Sequence, residues 1–554
     1  MRRIIAPVFM LLLSFSVYAD SIKDDLNAAN KAYFLLDYKT AFDLNKKLAE
    51  NGNAEAQYNL ALHYVYGHGV TQDDTEAVKW YRKAADQGYA KAQFKLGVIY
   101  EKGHGVTQDY TAAINWFRKA AEQGLDVAQF SLGIMYDNGR GTPKNDKEAA
   151  TWYRKAAEQG LANAQSNLGG MYYEGQGVPL DYKKAVTWYR KAAEQGFAEA
   201  QYNLGVIYEK GHGVTQDYSA AIHWYRKAAE QGFAKAQFNL GIMYDSARGT
   251  PKNDKEAATW YRKAAEQGVA DAQFNLGLMY ANARGVPLDY KEAATWYRKA
   301  AEMGVVSAQY NLGIMYETAQ GVPKDDQEAT KWFRKAAEQG NTNAQFNLGV
   351  GYYEGRGVPL DHKIAMTWYR KAAEQGSAEA QYNLGVEYYE GQDVPQDYQE
   401  AIKWYRKAAG QGFAIAQYNL GVMHEYGVGV TKEDKTAVTW YSKAAKQGFA
   451  NAQYRLGAMY AHGNGVTRDD KNAVMWYRKA ADQGVAEAQY HLGTMYAEGR
   501  GVPQDYVLAH MWWSLAASGG EEKAILNRII VSKKMTAKQI EEADRLTREW
   551  KPKK

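Results

Sequence analysis

The chain has 554 residues, 46% of them hydrophobic, 24% charged and 13% aromatic, which is enough apolar content for a folded core and excludes a disordered chain. Its 68 Lys and Arg against 63 Asp and Glu leave a net charge of +5, and the two signs are interleaved throughout, where a nucleic-acid protein would gather its positive charge into a patch or tail. With no cysteine, disulfides, cysteine-ligated zinc, iron–sulfur clusters and a thiol nucleophile are excluded.

Residues 1–19 form the first element. Arg2 and Arg3 precede an apolar run from Ile4 to Phe15, and Val17-Tyr18-Ala19 follows with small or apolar residues at the −3 and −1 positions of a cleavage site. This pattern predicts a secretory signal peptide cut after Ala19. The run is short of the ~20 residues that span a bilayer. The expectation is an exported chain, periplasmic or secreted, with no stable membrane insertion after cleavage.

Residues 20–52 read as a degenerate capping unit: Tyr38, Ala41, Leu44 and Gly52 align with Tyr110, Ala113, Trp116 and Gly124 of a later, complete unit. From Asn53 to Gly520 the chain is thirteen 36-residue repeats without an insertion or deletion. Ala-Gln recurs at 56–57, 92–93 and onward to 488–489, and Trp recurs from Trp80 to Trp512, at the same 36-residue spacing. A period in this range means stacked supersecondary units rather than separate globular domains.

Each unit predicts two helices. In the unit Tyr89 to Gly124, the residues Ala92, Leu96, Gly97 and Tyr100 share one helical face, and Ala113, Trp116, Phe117, Ala120 and Ala121 share another. Between them Gly103-His104-Gly105 turns the chain, and Asp109 is placed to cap the second helix. Asp or Asn holds that position in every unit but the one with Glu433. Asp73 with Glu76 has capping-box spacing. Prolines such as Pro143, Pro251 and Pro503 share one loop position, outside every predicted helix. A recurring mid-helix glycine, as at Gly97 and Gly133, predicts a neighbouring helix too close for a Cβ. Ala247, Ala283 and Ala319 replace the first loop glycine, which predicts first helices extended by part of a turn there. Residues 521–554 leave the pattern as a C-terminal helical cap and basic tail, with a capping box at Thr536 and Gln539 and an apolar face of Ile540, Ala543, Leu546 and Trp550.

Residue clusters that could carry chemistry have plainer readings. His68, His104 and His212 share a loop position in different units; packed helices lie ~8–10 Å apart and zinc–nitrogen bonds are ~2 Å, so they read as solvent-facing loop residues rather than metal ligands. The Gly-x-Gly loops follow no strand and lack a phosphate-loop Lys-Ser/Thr, so they read as turns. The Trp ladder shares its face with the recurring alanines and reads as core, with a stacking platform for sugars or bases as the rival.

An asparagine ladder runs along the first helices, including Asn203, Asn239, Asn275, Asn311 and Asn347. Asparagine is a poor helix former, so its recurrence needs a reason. One reading is capture of an extended partner backbone by the side-chain amides; the other is a structural hydrogen bond to the loop of the neighbouring unit. Exposed positions that vary between units, among them Lys235, Asp271 and Ser307, are the candidates for choosing the partner, and the stretch from Phe233 to about Gly340 is the expected groove. Residues 89–196 and 197–304 are near copies; such a duplication would lengthen a binding surface but disturb a catalytic site.

Segments such as A-Q-Y-N-L-G-V-I-Y-E-K-G-H-G-V-T-Q-D-Y and W-Y-R-K-A-A-E-Q-G closely resemble the Sel1-like repeat family, relatives of tetratricopeptide repeats, over about residues 20 to 550. The resemblance implies an all-α, right-handed superhelical solenoid of helix–turn–helix repeats with the first helices lining its concave surface. It also implies non-enzymatic scaffold or adaptor work with protein partners, and no cofactor. Some exported enterobacterial members are described as binding secretory immunoglobulin A, so a host-interaction factor that binds such a host glycoprotein is the alternative. An envelope hydrolase acting on cell wall or polysaccharide is the rival from another class.

Overall fold

The computed structural model describes residues 23–553; the expected signal peptide at 1–19 lies outside them. The described residues are helical throughout, without strands, and the chain divides between Pro287 and Leu288 into two compact units. Within each, short first and second helices alternate and pack in chain order, as an all-α solenoid does.

The repeat Tyr89–Gly124 shows why these residues fold this way. Its helices are Ala90–Lys102 and Tyr110–Glu122. Gly103 ends the first at φ 75°, a left-handed conformation glycine adopts without penalty. Asp109 starts the second by accepting from the Ala112 N–H at 2.9 Å. Gly105 lies so close to the preceding repeat that a Cβ would come within 2.9 Å of the Asp74 carbonyl oxygen. Ala113, Ala120 and Ala121 are buried against Ala128 and Leu132 of the next repeat.

Two expectations are corrected. The first helices at the alanine-bearing loops do not lengthen: Ala234–Asp245 and Ala270–Ala281 have 12 residues and Val306–Thr318 has 13, as most sister helices do. Ala247, Ala283 and Ala319 instead take the left-handed conformation themselves, at φ 56°, 53° and 57°. The turn's hydrogen bonds enforce it. Arg284 N donates to Met279 O at 2.9 Å, as Arg140 N donates to Met135 O at 3.0 Å in a glycine loop.

The Asp73–Glu76 capping box does not close. Asp73 caps Thr75 N and Glu76 N, but the Glu76 carboxylate pairs with Lys79, an i,i+3 cation within easier reach than the cap N–H. Its sisters Glu256 and Glu292 accept from the indole N–H of Trp260 and Trp296, at 3.1 Å each. At the mid-helix glycines another helix does come too close for a Cβ: at Gly133 it is the second helix of the same repeat, whose Tyr153 ring lies 2.6 Å from the Cβ position.

At the C-terminus the Thr536–Gln539 capping box is formed. The helix Ala537–Glu549 buries Ala543, and Leu546 and Trp550 pack on a core that includes Trp512 and Trp513.

Candidate partner-binding face

Most positions that recur are consumed by the scaffold. The Gln of each Ala-Gln pair is buried: Gln93 Nε2 donates to Ala85 O of the preceding second helix at 3.1 Å, and its Oε1 accepts from Gln123 at 2.7 Å. One side chain thus joins the end of one repeat to the end of the next, where an unsatisfied buried amide would cost ~1–3 kcal/mol. The same pair of bonds recurs at Gln129, Gln165, Gln201 and Gln237.

The segment Trp-Tyr-Arg-Lys divides its work. The aromatic residue after the Trp is the deepest: Phe117, Tyr153, Tyr225 and Tyr261 are at most 1% exposed. The Arg reaches forward to the next repeat's first-helix end, as Arg118 Nη2 does to the Tyr136 hydroxyl at 2.9 Å; the same bond recurs from Arg154 to Tyr172, from Arg190 to Tyr208 and from Arg334 to Tyr352. The Lys covers the Trp, with its ammonium 3.8–4.8 Å from the ring centroid in twelve repeats. The Trp ladder therefore sits at the rim of the core. Trp260 and Trp296 are buried, while Trp116 and Trp188 are half-buried. The central place is taken by the following Tyr or Phe, and the ring face that might stack a sugar carries a lysine.

Two of the three loop histidines are not simply solvent-facing. His68 stacks on Tyr38 at 4.1 Å and His212 on Tyr182 at 4.7 Å, and their Nδ1 atoms meet the hydroxyls of Tyr33 and Tyr173 at 3.0 and 2.9 Å. Only His104 is exposed. The loop packs on the previous repeat's aromatic residues, which the shared position alone did not reveal.

The asparagine ladder lies half-buried on the first helices. Asn239 hydrogen-bonds the phenols of Tyr202 and Tyr225, and Asn275 that of Tyr261, each from the preceding repeat. Asn311 does the same with Tyr297, and Asn347 with Tyr310. Burial raises the pKa of these phenols, and the asparagine contacts offset part of that rise. The neighbour's group is thus a buried tyrosine and not its loop. Asn203 differs: no side-chain hydrogen bond of it is found among the described residues, and Ser166 stands where Asn239 finds Tyr202. No two of these asparagines bond to each other. Lys235, Asp271 and Ser307 are exposed, each one helical turn before its ladder asparagine, so the residues that vary share a surface with the amides.

A family model for the Sel1 repeat matches thirteen consecutive segments, from residues 54–89 and 90–125 through to 450–485 and 486–521. Among solved structures, the chain is similar to the crystal structure of c5321, a protective antigen present in uropathogenic Escherichia coli strains displaying an SLR fold. The identity is 39%, over 85% of this chain and 94% of that one, with a TM-score of 0.59. A Sel1 repeat protein from Oxalobacter formigenes is 38% identical over 55% of this chain and 88% of its own, with a TM-score of 0.45. The comparison with curated proteins gave no match. The chain belongs to the Sel1 repeat family.

Proposed function

We propose that this chain is an exported scaffold that binds other proteins along its first-helix face. The observation that carries this reading is the division of labour among the positions of the repeat. Gln93 and Arg118 and their sisters hold repeat to repeat, while Gly97, Phe117 and Lys119 and their sisters are used in packing within one repeat. The positions that vary, such as Lys235, Asp271 and Ser307, are each exposed on a first helix. Invariant residues do the same work in every repeat and cannot encode one partner; the varying face can. The asparagines beside them retain capacity for a partner's backbone, since an amide has two donors and two acceptor lone pairs and a phenol uses only part of them.

Export is supported by the N-terminal sequence pattern and by similarity to a protein that is a protective antigen. Among the described residues, no helix is long and apolar enough to cross a membrane. The test is affinity capture with the chain from Asp20 onward, in two arms: bacterial envelope extract, and host secretions containing secretory immunoglobulin A. A partner retained by the chain and lost when Lys235, Asp271 and Ser307 are changed together supports the reading, and the arm that yields it decides between envelope and host. Specific turnover of a cell-wall substrate by the purified protein overturns it in favour of a hydrolase.

A further inference from the structure

One repeat breaks the pattern at several columns at once, and the breaks meet in space. The first-helix column of Tyr58, Phe94, Phe130, Tyr202 and Phe238 holds Ser166, and the column of Val98, Ile134, Val206 and Ile242 holds Gly170. Two apolar side chains are thereby missing from the face of one first helix, Ala162–Glu174. In their place is a pocket of about 360 Å³, lined by Ser166, Gly170, Asn203, Asp137, Glu174 and Glu199 among others. Its size is at the low end of ligand sites, which run ~300–1,000 Å³, and suits one side chain.

A third break concerns charge. Elsewhere an acidic residue near the first-helix end pairs with an arginine 39 positions on: Glu209 with Arg248 at 3.4 Å, Glu317 with Arg356 at 2.9 Å, and Asp245 with Arg284. Asp137 would look to position 176, which is Gln. Among the described residues, no ion pair engages Asp137, Glu174 or Glu199. Ser166 is only 4% exposed, lines the pocket, and makes no hydrogen bond among the described residues. Asn203, one of the ladder residues, lines the same pocket with its amide unengaged. Burial and then the Glu174 and Glu199 carboxylates push the Tyr189 phenol up, which reports the negative potential there. Met171, Val206 and Ile207 supply an apolar wall.

The near copy of this segment within the same chain serves as an internal control. At the equivalent positions it has Phe274, Leu278 and Arg284. The first two restore the missing side chains, and Arg284 pairs with Asp245 and, at 2.8 Å, with Asp254. The duplicate is filled and neutralised where the original is open and acidic.

We propose that the pocket between the first helices Ala162–Glu174 and Ala198–Lys210 is a subsite for one arginine side chain of a partner polypeptide. The guanidinium donates to the carboxylates and to the Ser166 and Asn203 oxygens, and the methylene stem lies along Met171, Val206 and Ile207. Arginine within a chain suits it better than the free amino acid, whose own carboxylate the three acidic residues repel. This inference rests on the protein-binding reading and deepens it at one site.

The probe is the peptide acetyl-Gly-Gly-Arg-Gly-Gly-amide, followed by saturation-transfer NMR against the full chain. The expected result is saturable binding, about tenfold weaker for the same peptide with citrulline, which keeps the shape and loses the charge, and weaker for free arginine. Ser166→Phe/Gly170→Leu/Gln176→Arg, which carries the duplicate's own residues, should unfold at the wild-type temperature and lose binding by tenfold or more. Glu199→Gln, which leaves the pocket's volume intact, should weaken it severalfold. Equal binding of the citrulline peptide, of free arginine, or by the triple variant overturns the proposal, as does no peptide binding at all. Partner capture by the wild-type chain is read separately, so failure here is distinguishable from failure of the scaffold reading.

Discussion

Gly241→Ala and Gly410→Ala are the same substitution in two helices, and they should act in opposite directions. At Gly241 a new Cβ would stand 2.6 and 2.7 Å from two ring carbons of Tyr261, about 1 Å inside a normal carbon–carbon contact of ~3.5–4.0 Å. The ring has no room to retreat. It is 1% exposed, its hydroxyl reaches Asp245 at 3.4 Å, and Asn275 hydrogen-bonds it from the next repeat. Overpacking costs ~1–3 kcal/mol, and a ring that cannot retreat puts this case in the upper part of that range, ~2–3 kcal/mol; against ~1 kcal/mol gained from alanine's helix propensity, the net expectation is a loss of about 1–2 kcal/mol. Gly410 is helical and exposed, with nothing within 4 Å of its Cβ position, so only the propensity gain of ~0.5–1 kcal/mol applies. Because stability in a repeat array is nearly a sum of neighbour terms, the assay is hydrogen exchange read peptide by peptide. Gly241→Ala should speed exchange in Ala234–Asp245 and Asp254–Glu266 by roughly 5–30-fold and leave distant repeats unchanged, while Gly410→Ala should slow exchange in Tyr398–Gly410. Unchanged or slower exchange around Gly241 would show that the ring has room, and the packing argument would fall.

Ala247→Gly and Ala319→Gly should each stabilise the fold by about 1 kcal/mol in the same exchange assay, since a left-handed non-glycine residue costs ~1–2 kcal/mol. Glu433 makes no side-chain cap bond, so Glu433→Asp should slow exchange in the first turn of Asp434–Lys446 by an amount equivalent to ~1 kcal/mol. Trp260→Ala should cost about 3–5 kcal/mol, confined to neighbouring repeats, because Trp260 is buried and bonded to Glu256. Burial holds the imidazoles of His63, His424, His491 and His510 below their ordinary pKa. The unfolded chain therefore takes up more protons than the folded one as pH falls below about 6.5, and stability, flat above that point with respect to these groups, should decline on acidification. Denaturation midpoints at pH 7.5 and 5.5 check it; equal midpoints contradict it.

The repeat unit was legible because the period brings thirteen copies of each position into register. Helices, loop turns, N-caps at Asp109 and its sisters, and the exception at Glu433 all follow from local propensity. What was not legible depends on contacts between repeats. The Ala-Gln pair marks the period, but its role as a two-ended amide bridge needs Ala85 and Gln123 in place. The Trp drew attention by its rarity, yet the next residue is the deeper one, and only the helix packing angle separates the two. The three loop alanines suggested longer helices because propensity favours that; the turn's hydrogen bonds to Met243, Met279 and Met315 overrule it. The pocket did leave a signal in the aligned repeats, Ser166 and Gly170 in otherwise apolar columns. A serine and a glycine in a helix look unremarkable until the two columns are known to share the face that meets the next first helix across a repeat boundary.

The central claim, that protein partners bind on the first-helix face, is tested most directly by site-specific photo-crosslinking. A photoreactive residue is placed in turn at Glu199, Lys235 and Ser307 on first helices, and at Thr187, Thr259 and Lys331 on exposed positions of second helices, and each chain is incubated with the captured partner. The account predicts crosslinks at the first-helix positions and none at the second-helix positions. Crosslinking that is confined to the second helices would contradict it.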